Sequence, residues 1–352
     1  MRWLVCALVL VGAPAAAAEG GRPLRVVSLN LYHGGVTSVR WGDGDLLERR
    51  LAMVVEQLRQ IDADVIGVQE ASTGRDRGDV AARLAAALGY GWVRAPAGWR
   101  WVPWLVHGAL GFDEGPAVLS RFPILSSQAT ALAPCGLGYR RMVVCARVVS
   151  PDGPLDACSA HTSSSACEHR SLTAALRQRD GAVPLLLLGD LNARPDRRSI
   201  HGLERKLGLV DAFATANPGA PGFTVWQSPR ESRPTATRRV DYVLARPAAN
   251  GALRVAASWI VLRAPGRGPD LRMLWPSDHY GVLAELRFEP GACVPGDGAE
   301  VPAGLPDPAR ERCDARPRSE GPGIRSGPDE AQVPARMGRG GQRPRRLWAL
   351  GL

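Results

Sequence analysis

The most constraining feature of this sequence is a series of short apolar runs, each of which meets a polar, chemically useful side chain at one end. Such runs, bounded by turn residues, are typical of strands buried in a sheet. They lie at 24–29, 65–68, 117–119, 142–149, 155–160, 184–188, 240–245 and 281–288. Apolar residues at helical spacing predict intervening helices at 45–60, 80–88 and 170–179. This order predicts an α+β layered domain with mixed or antiparallel sheets.

The polar residues at the strand ends are carboxylates, amides and imidazoles. They are Asn30, Glu70, His161, Asp190, Asn192, Asp241, Asp278 and His279. Any one of them alone is more often a turn or surface residue, but so many at successive strand ends favour convergence on one rim of a sheet sandwich. Asp190 and Asn192 are two residues apart, so on extended backbone they face the same side. Hard oxygen ligands of this kind suit a magnesium-like cation.

At these strand ends the sequence resembles the endonuclease/exonuclease/phosphatase superfamily, which includes deoxyribonucleases, abasic-site nucleases, secreted sphingomyelinases and inositol-phosphate phosphatases. The matching motifs, in family order, lie at 27–30, 65–70, 119–124, 159–162, 188–192, 239–243 and 277–280. The resemblance implies the deoxyribonuclease I-like fold, a four-layer α/β/β/α sandwich of two mixed or antiparallel sheets flanked by helices. It also implies a metal-dependent phosphodiesterase that uses water held by the metal and two histidines.

Carried over to this chain, the resemblance implies a role for each motif residue. Glu70 is expected to be the principal metal ligand, with Asn30 beside it and Asp278 as a further ligand. The expected cation is Mg²⁺, with Mn²⁺ or Ca²⁺ as alternatives. Asp190 and Asn192 are expected to position the phosphate and the attacking water.

The same resemblance implies a role for each histidine. His279 is expected to activate water or hold the phosphate, oriented by Asp241. His161 is expected to protonate the leaving oxygen, with Glu114 as its orienting carboxylate. Arg141 is expected to contact the substrate phosphate. The family usually has Leu after the His161 position, whereas this chain has Thr162, which leaves the geometry of that loop open.

The chain termini differ in composition from the predicted domain. Residues 1–18 have a positive start, a short apolar core and an Ala-rich exit, as a secretory signal peptide does, so we expect a secreted or periplasmic protein. The alternative for this segment is a buried N-terminal helix. The family domain is then expected at 19–290. Residues 291–352 are rich in Pro, Gly and Arg without periodicity, which predicts a disordered tail, either inert or a nucleic-acid-binding arm.

An exported chain with an even number of cysteines is expected to form disulfides. Six of the seven cysteines follow the predicted signal peptide. A hairpin of 141–149 with 155–161 places Cys145 opposite Cys158, which favours that pair and leaves Cys135–Cys167 and Cys293–Cys313. The alternative scheme pairs Cys135 with Cys145 and Cys158 with Cys167. The sequence has no Cys-x-x-Cys pair, which argues against a structural zinc site.

The substrate is less constrained than the chemistry. A net charge of +10 and arginines at 140, 141, 238 and 239 favour a nucleic acid, and therefore a deoxyribonuclease-like enzyme. Tryptophans at 99, 101 and 104 favour a phospholipid headgroup, as in sphingomyelinases or phospholipases C, or else pack in the core. A third hypothesis is an inactive scaffold that only binds phosphate groups. The retention of every motif residue argues against it.

Overall fold

A computed structural model describes residues 21–33, 46–74, 77–97, 112–135 and 140–289. The predicted signal peptide, the cluster of Trp99, Trp101 and Trp104, and the predicted tail all lie outside these ranges. Among the described residues, no helix is both long enough and apolar enough to cross a membrane.

The described residues form sixteen strands and five helices. In chain order these are β1 (Leu24–Asn30), α1 (Leu47–Ile61), β2 (Val65–Gln69), β3 (Thr73–Gly74), β4 (Gly78–Asp79), α2 (Val80–Leu88), β5 (Gly91–Arg94), β6 (Ala117–Ser120), β7 (Ile124–Ala131), β8 (Met142–Ser150), β9 (Gly153–His161), α3 (Ala166–Leu176), β10 (Leu185–Asp190), α4 (Arg198–Leu207), β11 (Val210–Asp211), α5 (Ala212–Ala216), β12 (Asp241–Arg246), β13 (Ala252–Val261), β14 (Gly266–Arg267), β15 (Met273–Leu274) and β16 (Gly281–Glu289).

Two six-stranded sheets form the body of the domain. The first has the order β13-β16-β1-β2-β6-β5, and the second has the order β11-β12-β10-β9-β8-β7. Each sheet contains one parallel pair, β1 with β2 and β9 with β10, and its other pairings are antiparallel. The carboxyl ends of each parallel pair therefore lie at the same edge as the amino end of an antiparallel neighbour, β16 or β12.

Alternating side chains divide the apolar core into three layers. Val26 of β1 faces the core between the sheets, whereas Val27 faces a second core that includes residues of α1 and α2. In the other sheet Leu186 of β10 faces the central core, and Leu187 faces a third core with residues of α3 and α4. Because successive strand residues point to opposite faces, two sheets with helices outside both follow from this pattern. The predicted four-layer sandwich is confirmed.

Local signals explain several boundaries of the predicted helices and one wrong prediction, whereas α4, α5 and the sheet strands β5, β7, β11 and β13 were not predicted. The Asp79 side chain accepts a hydrogen bond from the Ala82 amide and begins α2, and Gly89 ends that helix at φ 73°. Helix α3 covers Ala166–Leu176, so the predicted 170–179 was wrong at both ends. Ser165 begins α3 by accepting a hydrogen bond from the Cys167 amide, which the apolar spacing alone did not indicate.

Two of the three predicted disulfides lie within the described residues, and both are confirmed. Cys145 and Cys158 are direct partners in the β8–β9 register, with their Cα atoms 3.9 Å apart. Cys135 is bonded to Cys167, which joins the segment after β7 to α3. The alternative local scheme is therefore excluded. The predicted Cys293–Cys313 pair lies outside the described residues.

The two sheets approach most closely near the polar rim. A methyl group at Gly67 in β2 would lie 2.4 Å from Cβ of Leu188 in β10, so only glycine fits there without a shift of backbone or sheet. Two residues further along, Gln69 Nε2 donates to Ser159 Oγ at 3.1 Å, and Ser159 Oγ donates to the Val68 carbonyl at 2.8 Å. These contacts fix the spacing of the sheets at the point where β2, β9 and β10 end.

We predict that Gly67→Ala lowers the free energy of unfolding by about 1–3 kcal/mol, because the added methyl group overpacks the sheet interface. Gly181→Ala is the matched control, since nothing lies within 4 Å of a Cβ at that position, and it should change stability by no more than about 0.5 kcal/mol. Urea denaturation of both variants measures the difference. Equal stabilities would show that the sheets can separate at little cost.

Candidate active site

The ends of five central strands bring polar side chains to one rim. β1 ends at Asn30, β9 at His161 and β10 at Asp190, while β12 begins at Asp241. The strand register pairs Asp190 with His161 on one side and with Asp241 on the other. Glu70 directly follows β2 in a left-handed backbone conformation, with φ 54°. The structure therefore brings together the strand-end residues that the sequence singled out.

Asn30 links the acidic groups of the two sheets. Its Nδ2 donates to Glu70 Oε1 at 3.2 Å and to Asp190 Oδ2 at 3.1 Å. Its Oδ1 accepts from the Tyr32 amide at 2.9 Å, which fixes the orientation of the side-chain amide. The second oxygen of Glu70 accepts from the His33 amide at 3.1 Å. One amide group thus holds a carboxylate from each sheet at a defined separation.

His279 and Asp241 form a buried hydrogen-bonded pair. Nδ1 of His279 lies 2.9 Å from Oδ2 of Asp241, and both residues are almost wholly buried. The other ring nitrogen, Nε2, lies 3.8 Å from Asp190 Oδ2 and 4.0 Å from Asp278 Oδ1. Burial alone would lower the pKa of His279, but the charges of Asp241 and Asp190 and the Asp241 hydrogen bond raise that pKa well above its usual value.

His161 lies on the opposite side of Asp190. Its Nε2 is 3.4 Å from Asp190 Oδ2 and 3.2 Å from the side-chain nitrogen of Asn192. Asn192 also donates to the Thr162 carbonyl at 2.9 Å, and its backbone amide donates to Asp190 Oδ1 at 2.9 Å. Burial, followed by the positive charge of Arg141, lowers the pKa of His161 well below its usual value. The free site therefore holds one histidine that favours the proton and one that favours the neutral form.

The loop geometry around His161, which the sequence left open, depends on Thr162. Its hydroxyl donates to the Leu191 carbonyl at 3.1 Å. The buried ring of His169 contacts the same hydroxyl at 3.1 Å and the same carbonyl at 2.9 Å. The threonine that replaces the family's usual leucine thus fastens the loop after β9 to the loop after β10.

The expected contact between Glu114 and His161 is not among the contacts of the described residues. Glu114 Oε2 lies 3.4 Å from His33 Nε2 instead, and the same ring nitrogen lies 3.4 Å from Glu70 Oε2. Arg141, just before β8, is half-buried. Burial lowers the pKa of His33 and His161 and raises that of Glu114, and the positive charge of Arg141 adds to the lowering for the two histidines and opposes the rise for Glu114. Arg141 is therefore close to this group, as its expected role requires.

Sequence reasoning missed three basic residues that organise the rim. His33 lies three residues past the end of β1, so a search restricted to strand ends passes over it. Arg50 of α1 is buried and donates to the carbonyls of Leu31, Tyr32 and Pro276, tying the loop after β1 to the loop before β16. Arg77 donates to the His33 carbonyl at 2.8 Å. A basic residue on the apolar face of a predicted helix, as Arg50 is, was the available signal.

One of the four arginines expected near the substrate has a structural role. Arg239 is buried, and its Nη1 forms an ion pair with Asp211 Oδ2 at 2.8 Å. It is therefore unsuited to bind a substrate phosphate, which corrects the expectation for that residue. Arg140 and Arg238 are exposed.

The carboxyl groups at the rim have the properties expected of cation ligands. Burial raises the pKa of Glu114 to about 8, of Asp190 to about 7 and of Asp278 to about 6. Two ligand sets, each with atoms within 4.8 Å of one another, lie in the described residues: His33 with Glu70 and Glu114, and Asp190 with Asp241 and His279. Among the described residues, Glu114 Oε2 and Asp241 Oδ1 are buried without a hydrogen-bond partner. A divalent cation would offset this concentration of negative charge.

Comparison with known proteins agrees with this geometry. A model of the Endonuclease/Exonuclease/phosphatase family matches residues 27–279, most of the chain. The chain belongs to the endonuclease/exonuclease/phosphatase family. This membership supports a hydrolase of the phosphatase or nuclease type and confirms the resemblance drawn from the motifs. No curated protein matches this sequence.

Several solved structures share the fold of this family member. The human Nocturnin catalytic domain with bound sulfate anion is 20% identical, with a TM-score of 0.56 over 76% of this chain and 94% of that one. A mannosyl-6-phosphatase of Bacteroides thetaiotaomicron is 18% identical, with a TM-score of 0.57 over 75% and 100%. TDP2 of D. rerio, complexed with single-strand DNA product, is 15% identical, with a TM-score of 0.55 over 75% and 98%. At these identities the likeness establishes the fold.

We predict that Mg²⁺ binding releases protons near neutral pH and tightens as pH rises from about 5.5 to about 8.5, because the ion favours the ionised carboxyls. Titration calorimetry in two buffers of different ionisation enthalpy measures this release. Glu70→Gln should weaken binding by more than about 10-fold. Asp196→Asn, which removes an exposed carboxylate, is the charge-matched control. Binding independent of pH would contradict an ion held by these carboxyls.

Proposed function

We propose that this protein is a secreted, Mg²⁺-dependent phosphodiesterase of the nuclease type. The observation that carries the proposal is the buried His279–Asp241 pair, which faces Asp190 on the same rim as Glu70. A histidine held by a carboxylate is suited to accept a proton from water, and a nearby cluster of carboxylates is suited to hold a cation against a phosphate.

Glu70, Asn30 and Asp278 would hold the cation. Asn30 and the His33 amide already orient both oxygens of Glu70, and the negative charge of Glu70 raises the pKa of Asp278, as expected for carboxyls that share one site. When bound, the ion would neutralise charge on the phosphate and, through its own charge, lower the pKa of His279 toward neutrality. Mn²⁺ or Ca²⁺ could occupy the same oxygen ligands.

His279 is the proposed proton acceptor. Its Nδ1 is directed at Asp241 Oδ2, so that bond fixes the ring and leaves Nε2 free to take a proton from the attacking water. The developing imidazolium is then stabilised by Asp241 and Asp190, the charges that already raise its pKa. Asn192 and Asp190 are the residues proposed to align the attacked phosphate and the water, since they lie 3.2 Å from His161 Nε2 and 3.8 Å from His279 Nε2, respectively.

His161 is the proposed proton donor to the leaving oxygen. Neutral in the free site, it would gain a proton when a phosphate anion enters, because a nearby negative charge raises the pKa of an imidazole. In the proposed hydrolysis, the water oxygen bonds to phosphorus while one water proton moves to His279. The ester P–O bond breaks, and the leaving oxygen takes the proton of His161. Arg141, on the same side, is the proposed phosphate contact. Glu114 contacts His33 rather than His161, so any influence of Glu114 on the site passes through His33.

The nuclease type is favoured by charge at the rim. Arg140 and Arg238 are exposed and Arg141 is half-buried, so positive side chains are placed to follow a polyanion. The sphingomyelinase-like alternative rests on Trp99, Trp101 and Trp104, which lie outside the described residues. The inactive-scaffold alternative is disfavoured by the Asp241–His279 pair, since a protein that only binds phosphate does not need an oriented base.

We also propose export of the chain. Two disulfides join residues of the domain, and structural disulfides persist mainly outside the reducing cytosol. Residues 1–18 would serve as the signal peptide and 19–290 as the catalytic domain.

The proposed activity predicts Mg²⁺-dependent cleavage of plasmid DNA. The protein should be assayed in parallel on plasmid DNA, RNA, sphingomyelin vesicles and a soluble phosphomonoester, each with Mg²⁺ and with chelator. We expect DNA to be nicked only with Mg²⁺, because the cation offsets the phosphate charge. Undiminished cleavage in chelator would disprove the cation role, and turnover of sphingomyelin alone would favour the lipid alternative.

His279→Ala should lower kcat by ~100-fold or more, because it removes the proton acceptor. His201→Ala is the matched control: His201 is an exposed histidine on α4 whose ring contacts Glu204, and its loss should leave kcat within about twofold of the unchanged protein. Circular dichroism of both variants verifies the fold. Wild-type turnover by the His279 variant would remove that residue from the mechanism.

A further inference from the structure

An exposed tryptophan lies beside the catalytic rim and has no role in the chemistry above. Trp226 exposes 64% of its surface, the largest fraction among the exposed tryptophans of the described residues. Its neighbours Val225 and Gln227 are almost fully buried. The ring therefore keeps apolar surface in water, while the residues on both sides of it are packed in the fold.

The backbone on both sides of Trp226 is hydrogen-bonded to the catalytic segment. Val225 forms an antiparallel bridge with His279, and the Gln227 amide donates to the Asp278 carbonyl at 2.8 Å. Trp226 therefore lies between Val225 and Gln227, whose backbones are bonded to those of the rim residues His279 and Asp278. A group that stacks on this indole would belong to the same substrate molecule as the phosphate at the rim.

The loop that carries the tryptophan is held by side-chain hydrogen bonds. The Gln227 side-chain oxygen accepts from the Tyr280 hydroxyl at 2.7 Å and from the Thr235 amide at 2.8 Å. The Thr235 hydroxyl donates to the Trp226 carbonyl at 2.8 Å. Because this backbone is fixed before substrate arrives, little conformational entropy is lost when the ring is covered.

An arginine is stacked on the same ring. The guanidinium carbon of Arg238 lies 5.3 Å from the centroid of the Trp226 ring, and Arg238 itself is exposed. Aromatic rings that stack on bases, together with cationic groups that follow the backbone, are the usual elements of single-strand nucleic-acid sites. A lipid-inserting surface would instead surround the ring with apolar residues, whereas the loop that follows carries Arg230, Glu231 and Arg233.

We propose that Trp226 and Arg238 form a stacking subsite for an unpaired nucleobase next to the phosphodiester that is cleaved. This inference rests on the proposed phosphodiesterase function and adds to it the substrate class, a nucleic acid with at least one unstacked base. The indole takes the base, and Arg238 supports the ring and attracts the adjoining phosphate.

Binding to two oligomers of equal length and charge tests the stacking. One is a labelled single strand of thymidines, and the other is an abasic strand with tetrahydrofuran units in place of the nucleosides. In chelator, where cleavage is not expected, fluorescence anisotropy should show tighter binding of the thymidine strand. Trp226→Ala should weaken that binding by about 5- to 100-fold, the loss expected for one base–aromatic stack, and should leave abasic binding nearly unchanged.

Three further variants separate stacking from structural effects. Trp226→Phe should keep most of the preference for the thymidine strand, because phenylalanine retains a stacking face. Trp92→Ala, which removes a 39% exposed tryptophan on β5 at the far edge of the first sheet, should have no effect on either strand. Arg238→Gln should weaken both strands, since it removes a phosphate contact, and the thymidine strand more, since the Trp226 ring also loses its cationic neighbour.

The subsite would be overturned if the unaltered protein bound both strands equally or bound neither strand. It would also be overturned if Trp226→Ala bound the thymidine strand as tightly as the unaltered protein does, or if Trp226→Ala impaired only the activity on sphingomyelin vesicles. The cleavage assay with Mg²⁺ is judged separately. A protein that cleaves DNA but fails these binding tests keeps its proposed function and loses the subsite. A protein that prefers the thymidine strand through Trp226 but cleaves no phosphodiester keeps the subsite and loses the function.

Discussion

The arrangement of polar side chains at the rim depends on the contact between the two sheets at Gly67 and Leu188. A side chain as small as alanine at position 67 would press into Leu188, so glycine sets how closely β2 and β10 approach. Those two strands lead to Glu70 and Asp190, and the single amide of Asn30 reaches both carboxylates. An amide spans only a few ångströms, and a wider sheet spacing would leave one of the two acids without it. Packing in the core therefore sets a distance at the site.

The rim collects negative charge that the rest of the domain avoids. Elsewhere, most buried acids are paired with arginine, as Asp156 is: it accepts from Arg147 and Arg179. In the described residues, the ion pairs of Asp190 and Asp241 are with histidines. A histidine can give up its proton near neutral pH, whereas an arginine cannot. Acids paired in this way keep a charge that a cation or a proton can offset, which is the property a catalytic site requires and a structural ion pair lacks.

Several residue pairings were beyond what the sequence could predict. Glu114 was expected to orient His161, but it contacts His33. The backbone around His33 is held there because Arg50 and Arg77 donate to its carbonyls. Arg239 lies two residues before Asp241 in the same motif, yet it is buried against Asp211. Neither outcome leaves a trace in spacing or composition. Which carboxylate an imidazole or guanidinium meets depends on loops from distant parts of the chain.

The sequence by itself determined the α+β class, eight of the twelve strands of the two large sheets and the polar residues at their ends, because alternation and strand-end chemistry are local properties that a single chain records. The four-layer arrangement was implied by the family resemblance of the motifs. The sequence also determined the Cys145–Cys158 pair, since a short hairpin fixes its own register. Only the tertiary structure decided how far apart the two rows of polar ends lie, which histidine pairs with which acid, and that Trp226 lies exposed beside His279. Those facts depend on sheet packing and on loops that no local pattern describes, and they give the rim its chemistry.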